Sequence, residues 1–81
     1  MPDTADSADY LEALGVAVRR LRTRRGLSQE DLSAAAGLDR TYVSGIERGV
    51  RNPTVASLLK LCEVLGTTPA KLLRAAEKIE L

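Results

Sequence analysis

The 81-residue chain has no histidine, no phenylalanine and no tryptophan, and it carries one cysteine and two aromatic residues, Tyr10 and Tyr42. Each shortage removes a class of function. Without histidine, and with its carboxylates scattered, the chain offers no set of ligands at metal-binding spacing, and no nucleophile, base and orienting group stand together as an enzyme needs. Cys62 has no second cysteine to pair with, so it reads as a small core hydrophobe in a protein of the reducing cytoplasm. Two tyrosines are too few to stack successive bases of a single strand. No apolar run approaches the length of a signal peptide's hydrophobic segment or of a membrane span. Neither cofactor, metal nor membrane is expected.

What is present is aliphatic and helical in pattern. Leu, Val, Ile and Ala must build the core, and a chain this short sits near the lower limit of what one core holds together unaided. A second copy would supply the missing burial. The net charge of +1 says little, but its distribution says more. Residues 1–18 carry four acids (Asp3, Asp6, Asp9, Glu12) and no base, whereas residues 19–25 carry five arginines (Arg19, Arg20, Arg22, Arg24, Arg25). One stretch repels phosphate and the next attracts it. Arg19 and Arg24 are read equally as solvated charge and as phosphate contacts.

Residues 1–8 are small and acidic with no apolar period, which predicts a disordered lead-in, with residues 9–81 forming the domain. From Asp9, Leu11, Leu14, Val18 and Leu21 recur at spacings of three and four, the mark of a first helix running to about Arg24. Ser28, with Asp31 three residues on, caps a second helix over Gln29 to Ala36, its inner face formed by Leu32, Ala35 and Ala36. Gly37 supplies a left-handed bend. Asp39 caps a third helix with Val43 and Ile46 inward and Gly49 past its end. Pro53 and Thr54 start a fourth from Val55 to Leu65, closed by Gly66. Thr68 and Pro69 open a fifth. Two short helices around a glycine-containing bend make a helix-turn-helix signature.

With Val43 and Ile46 facing in, Arg40, Thr41 and Ser44 face out on the first two turns of the third helix. Arg40 suits the N7 and O6 acceptors of guanine. Thr41 offers a methyl to thymine and a hydroxyl to a base or phosphate, and Ser44 is a short donor or acceptor. Gln29, at the exposed start of the second helix, suits a phosphate. Tyr42 is either half-buried core or a phosphate donor through its hydroxyl, and Arg48 is a further phosphate candidate. Gly45, inside a helix, costs about 1 kcal/mol relative to alanine. It implies a close approach, to DNA or to another helix.

In the fourth helix Val55, Leu58, Leu61, Cys62 and Leu65 form the inward stripe, with Leu59 and Val64 to either side. The fifth helix adds Leu72, Leu73, Ala76, Ile79 and Leu81. That apolar surplus predicts a two-fold dimer contact through Leu59, Val64, Leu72, Leu73, Ala76 and Ile79.

The segments SQEDLSAAAG and VSGIERG resemble the helix-turn-helix of the Cro/repressor-like family over roughly Val16 to Leu73. The run LDRTYVSGIERGVRNPT resembles the controller proteins of restriction-modification systems. The resemblance implies an all-α, five-helix domain with its helix-turn-helix at helices two and three, and an ion pair from Arg22 to Glu47 that fixes the third helix. It further implies that Arg51 contacts a base and Asn52 the DNA backbone, although Asn52 also reads as a turn residue before proline. The expected function is a homodimeric, sequence-specific regulator on a palindromic operator in double-stranded DNA, controlling a restriction-modification operon, with RNA polymerase as a further partner. The alternatives are a phage-type repressor or antitoxin-like regulator of the same fold, and a protein-interaction module that does not bind DNA.

Overall fold

A computed structural model describes residues 4–81 of the chain. Its helices are α1 (Thr4–Arg24), α2 (Gln29–Ala36), α3 (Arg40–Glu47), α4 (Val55–Leu65) and α5 (Pro69–Glu77), with no strand among the described residues. The all-α expectation holds, and the bounds of α2, α4 and the start of α5 fall where the caps place them.

Those bounds follow from local chemistry. The Ser28 hydroxyl accepts from the Asp31 N–H at 2.9 Å while the Asp31 carboxylate accepts from the Ser28 N–H at 3.1 Å, which satisfies two donors that the first turn of α2 would leave orphaned. The same contacts hold the Asp31 carboxyl below its ordinary pKa, the Ser28 backbone donor first among them. Gly37 closes α2 at φ 68°, a left-handed conformation that an L side chain resists. Asp39 then caps α3, accepting from Thr41 N–H at 2.7 Å. Thr54 and Thr68 cap α4 and α5 through the N–H groups of Ser57 and Lys71.

Helix α1 begins at Thr4, earlier than Asp9, so most of the predicted lead-in is helical. Alanines and acidic residues favour this, the first as helix formers and the second through the dipole at a helix N-terminus. The rest of that expectation, Met1 to Asp3, lies outside the described residues.

The core is aliphatic. Leu32, Ile46, Leu61, Leu65, Leu72, Val18, Val43 and Cys62 are the largest fully buried side chains, one or more from every helix. Burial at this level is worth about 1.5–3 kcal/mol for each large aliphatic side chain. Helix α1 packs against α5 and α3, while α2 rests on α3 and α4. Two inward assignments are corrected. Ala35 is exposed, because Leu32, Ser33 and Ala36 are the face α2 turns to the core, with the Ser33 hydroxyl satisfied by the Glu30 carbonyl. Val55 is exposed as well, since the first residue of α4 precedes the turn at which the helix reaches the core.

Candidate nucleic-acid interface

The corner of α2 and α3 brings Gln29 beside residues 11 or more positions further along the chain. Gln29, Arg40, Thr41 and Ser44 line one open hollow of about 220 Å³. Arg40 and Thr41 are exposed, while Gln29 and Ser44 are half-buried at its floor. Arg40 lies 3.9 Å from Glu30, a pairing of two highly exposed side chains that gains little in water and leaves the guanidinium free to turn elsewhere. Val43 and Ile46 are fully buried behind this face, as the spacing predicts.

The face is fixed from behind by Glu47. Its carboxylate is almost entirely buried and receives Arg22 Nε at 2.7 Å, Arg22 Nη2 at 3.0 Å and Gln29 Nε2 at 3.0 Å. Arg22 also donates to the Leu27 carbonyl at 2.8 Å. The pair between the first helix and the end of the third is therefore present and bidentate. Hydrogen bonding to Glu47 raises the Arg22 pKa further, against burial, which lowers it. Gln29, read from the sequence as a free phosphate ligand, has its amide nitrogen engaged. The reason is that the α2–α3 crossing brings its side chain onto the same carboxylate as Arg22.

Of the remaining residues, Tyr42 packs its ring on the core, and its hydroxyl accepts from the Thr54 N–H at 3.2 Å. Its phenol pKa is drawn below the ordinary value, by hydrogen bonding from Ser57 first, with the Thr54 groups and the Arg51 charge acting the same way against burial. Arg48, Arg51 and Asn52 are exposed around the loop that leaves α3. Within the basic stretch, Arg22 is half-buried on Glu47, whereas Arg19, Arg20, Arg24 and Arg25 are exposed, the Arg25 guanidinium lying near Gly66.

Two features escaped the sequence reading. Gly15 is buried where α1 meets α3, and a Cβ there would strike the carbonyls of Ile46 and Glu47. Its place beside Leu11, Leu14 and Val18 on the apolar face of α1 was the available signal. The Tyr10 hydroxyl donates to Glu77 Oε2 at 2.7 Å and ties α1 to α5, an arrangement that pushes its pKa up to about 12. No spacing rule announces a contact between residues so far apart in the chain.

The dimer expectation is corrected in part. Leu72 and Ala76 are buried in the chain's own core, because α5 turns that side toward α1, and so neither is available to a second copy. Leu59 is 52% exposed, and Val64, Leu73 and Ile79 are half-buried. Among the described residues no group of acidic or cysteine side chains has the arrangement of a metal site, and no helix is long and apolar enough to cross a membrane.

Comparison with known proteins agrees with this geometry. The family model described as helix-turn-helix matches residues 18–72. Control protein C.SmaI of Serratia marcescens is 44% identical over 75 residues, which is 90% of this chain and 88% of that one. Among solved structures, the restriction-modification controller protein C.AhdI from Aeromonas hydrophila superposes with a TM-score of 0.75 at 48% identity, covering 76% of this chain and 94% of that one. C.Esp1396I bound to a 25 base pair operator site superposes with a TM-score of 0.74 at 35% identity, covering 85% of this chain and 91% of that one. With two short helices at a glycine bend, an outward polar face on the second of them, and a match over most of its length, the chain belongs to the Cro/repressor-like helix-turn-helix family.

Proposed function

We propose that the protein is a sequence-specific regulator of transcription that binds double-stranded DNA as a homodimer in the cytoplasm, a binding protein rather than an enzyme. The observation that carries this reading is the hollow at the α2–α3 corner, where an arginine, two hydroxyls and an amide converge on one open face. A guanidinium and two hydroxyls at the start of a helix are the groups that read base edges in a major groove. In this reading Arg40, Thr41, Ser44 and Arg51 contact bases, Tyr42, Arg48 and Asn52 contact phosphates, and Gln29 does so through the amide N–H that its bond to Glu47 does not use. The two copies of α3 enter successive major grooves about 34 Å apart on a roughly palindromic site. The likeness to a controller solved on operator DNA supports an autoregulating role in a restriction-modification operon.

The test is binding of the wild-type protein and two variants to duplexes drawn from its own upstream region and to base-substituted versions. Arg40→Ala should cost ~1–3 kcal/mol on the cognate duplex and relax preference at one base pair. Gln29→Ala should weaken binding evenly across sequences. Unchanged cognate binding by Arg40→Ala overturns this assignment of the reading face.

A further inference from the structure

Gly45 lies in the middle of α3 and is buried, yet what covers it is neither DNA nor another helix. A Cβ built at Gly45 would clash with Arg51 Cγ and would stand 3.2 Å from Arg51 Cβ and 3.6 Å from its Cδ. The stem of Arg51 therefore lies in the space that any side chain at position 45 would fill. The backbone holds it there, because the N–H groups of Val50 and Arg51 both donate to the Gly45 carbonyl, at 2.9 and 3.1 Å. The far end of Arg51 stays exposed, and its charge acts on the neighbouring Tyr42 hydroxyl. Position 45 follows Ser44 and sits one helical turn after Thr41, so the stem crosses α3 beside two outward-facing residues of the hollow.

We propose that Gly45 is a positioning residue for DNA specificity: its missing side chain seats the Arg51 stem, which holds a second guanidinium at a fixed distance from Arg40, Thr41 and Ser44. This rests on the reading of α3 as the DNA-reading helix. An unseated arginine has four side-chain torsions free and loses discrimination among bases before it loses attraction to phosphate. Seated, it reaches the duplex with part of that freedom already removed. The cost of a glycine inside a helix is then offset by what it positions.

The experiment compares wild type, Gly45→Ala, Arg51→Ala and the double variant. The probes are duplexes that the wild-type protein recovers from a random-sequence library, together with every single-base-pair change in the recovered site. Gly45→Ala should weaken cognate binding about tenfold and flatten preference at the same base pair that Arg51→Ala flattens. The double variant should bind no worse than Arg51→Ala alone, because both changes remove one interaction. Thermal melts supply a readout that does not depend on DNA. Alanine at position 45 should raise the melting temperature more in the Arg51→Ala background, where the seat is vacant, than in the wild type. Additive losses in binding, or flattening at the base pair read by Arg40, overturn the proposal while leaving DNA recognition by α3 intact. Recovery of no duplex by the wild type overturns the DNA reading itself, and identical melting shifts in the two backgrounds would then show that Gly45 seats nothing.

Discussion

A carboxylate as deeply buried as that of Glu47, 8% exposed as a residue, needs its charge matched and its oxygens hydrogen-bonded, and Arg22 and Gln29 together do both. The arrangement is asymmetric in its consequences. An isolated alanine change leaves an uncompensated charge, whereas two apolar replacements of similar size leave none. Glu47→Ala should therefore destabilise the fold by ~3–5 kcal/mol, with Arg22→Met/Glu47→Leu costing clearly less, as chemical denaturation would measure. A double variant as damaged as the single one would mean that Glu47 acts through packing and not through its charge. Arg22 and Glu47 were legible from the chain through family likeness. The Gln29 contact was not, since it depends on the angle at which α2 crosses α3, and a polar residue in a first turn reads the same whether it faces solvent or a carboxylate.

Helices were legible wherever their ends are written in adjacent residues. Ser28 with Asp31, Gly37, Asp39, Gly66 and the Thr68-Pro69 pair each satisfy or remove backbone groups within four positions, so their effect needs no tertiary information. The beginning of α1 at Thr4 was missed, because residues 1–8 carry no apolar period to announce a helix. The inward face of α2 was misjudged for a related reason. In a run of three alanines, side-chain volume gives no preference, and the burial of Ser33 over Ala35 is decided by the packing of α3 and α4. The cap itself yields a prediction for the element. Ser28→Ala should cost about 1 kcal/mol in thermal or urea unfolding. In the wild type the contribution of the lowered Asp31 group should persist above its unfolded pKa and fade as pH falls through its folded value, so the stability difference between wild type and Asp31→Asn should narrow in acid. A difference that stays constant down to the acid transition would speak against the reciprocal cap.

On the scale of the whole molecule, apolar surface remains after the core is complete. Leu59 and the half-buried Val64, Leu73 and Ile79 lie on α4 and on the segment from α5 to the C-terminus, while Leu72 and Ala76 are spent inside. Which side of α5 turns inward depends on where α1 lies, and that is why the sequence overcounted the dimer face. If a second copy covers what remains, Leu59→Glu should shift sedimentation from dimer to monomer without lowering the melting temperature of the monomer, and operator affinity should fall with it. A variant that sediments as the wild type does would remove Leu59 from the contact. Salt dependence belongs to this scale too, because the arginines left exposed after Arg22 is engaged by Glu47 set how many counterions a duplex can release.

The bare α-carbon of Gly15 has a mechanical side. It puts main chain against main chain at the junction of α1 with Ile46 and Glu47, with no compressible side chain between them. Such a joint has no cushioning. Since α1 is also tied to α5, through the hydrogen bond from Tyr10 to Glu77, one long rod joins the C-terminal helix to the foot of α3, with bare main-chain contact at the second of the two joints.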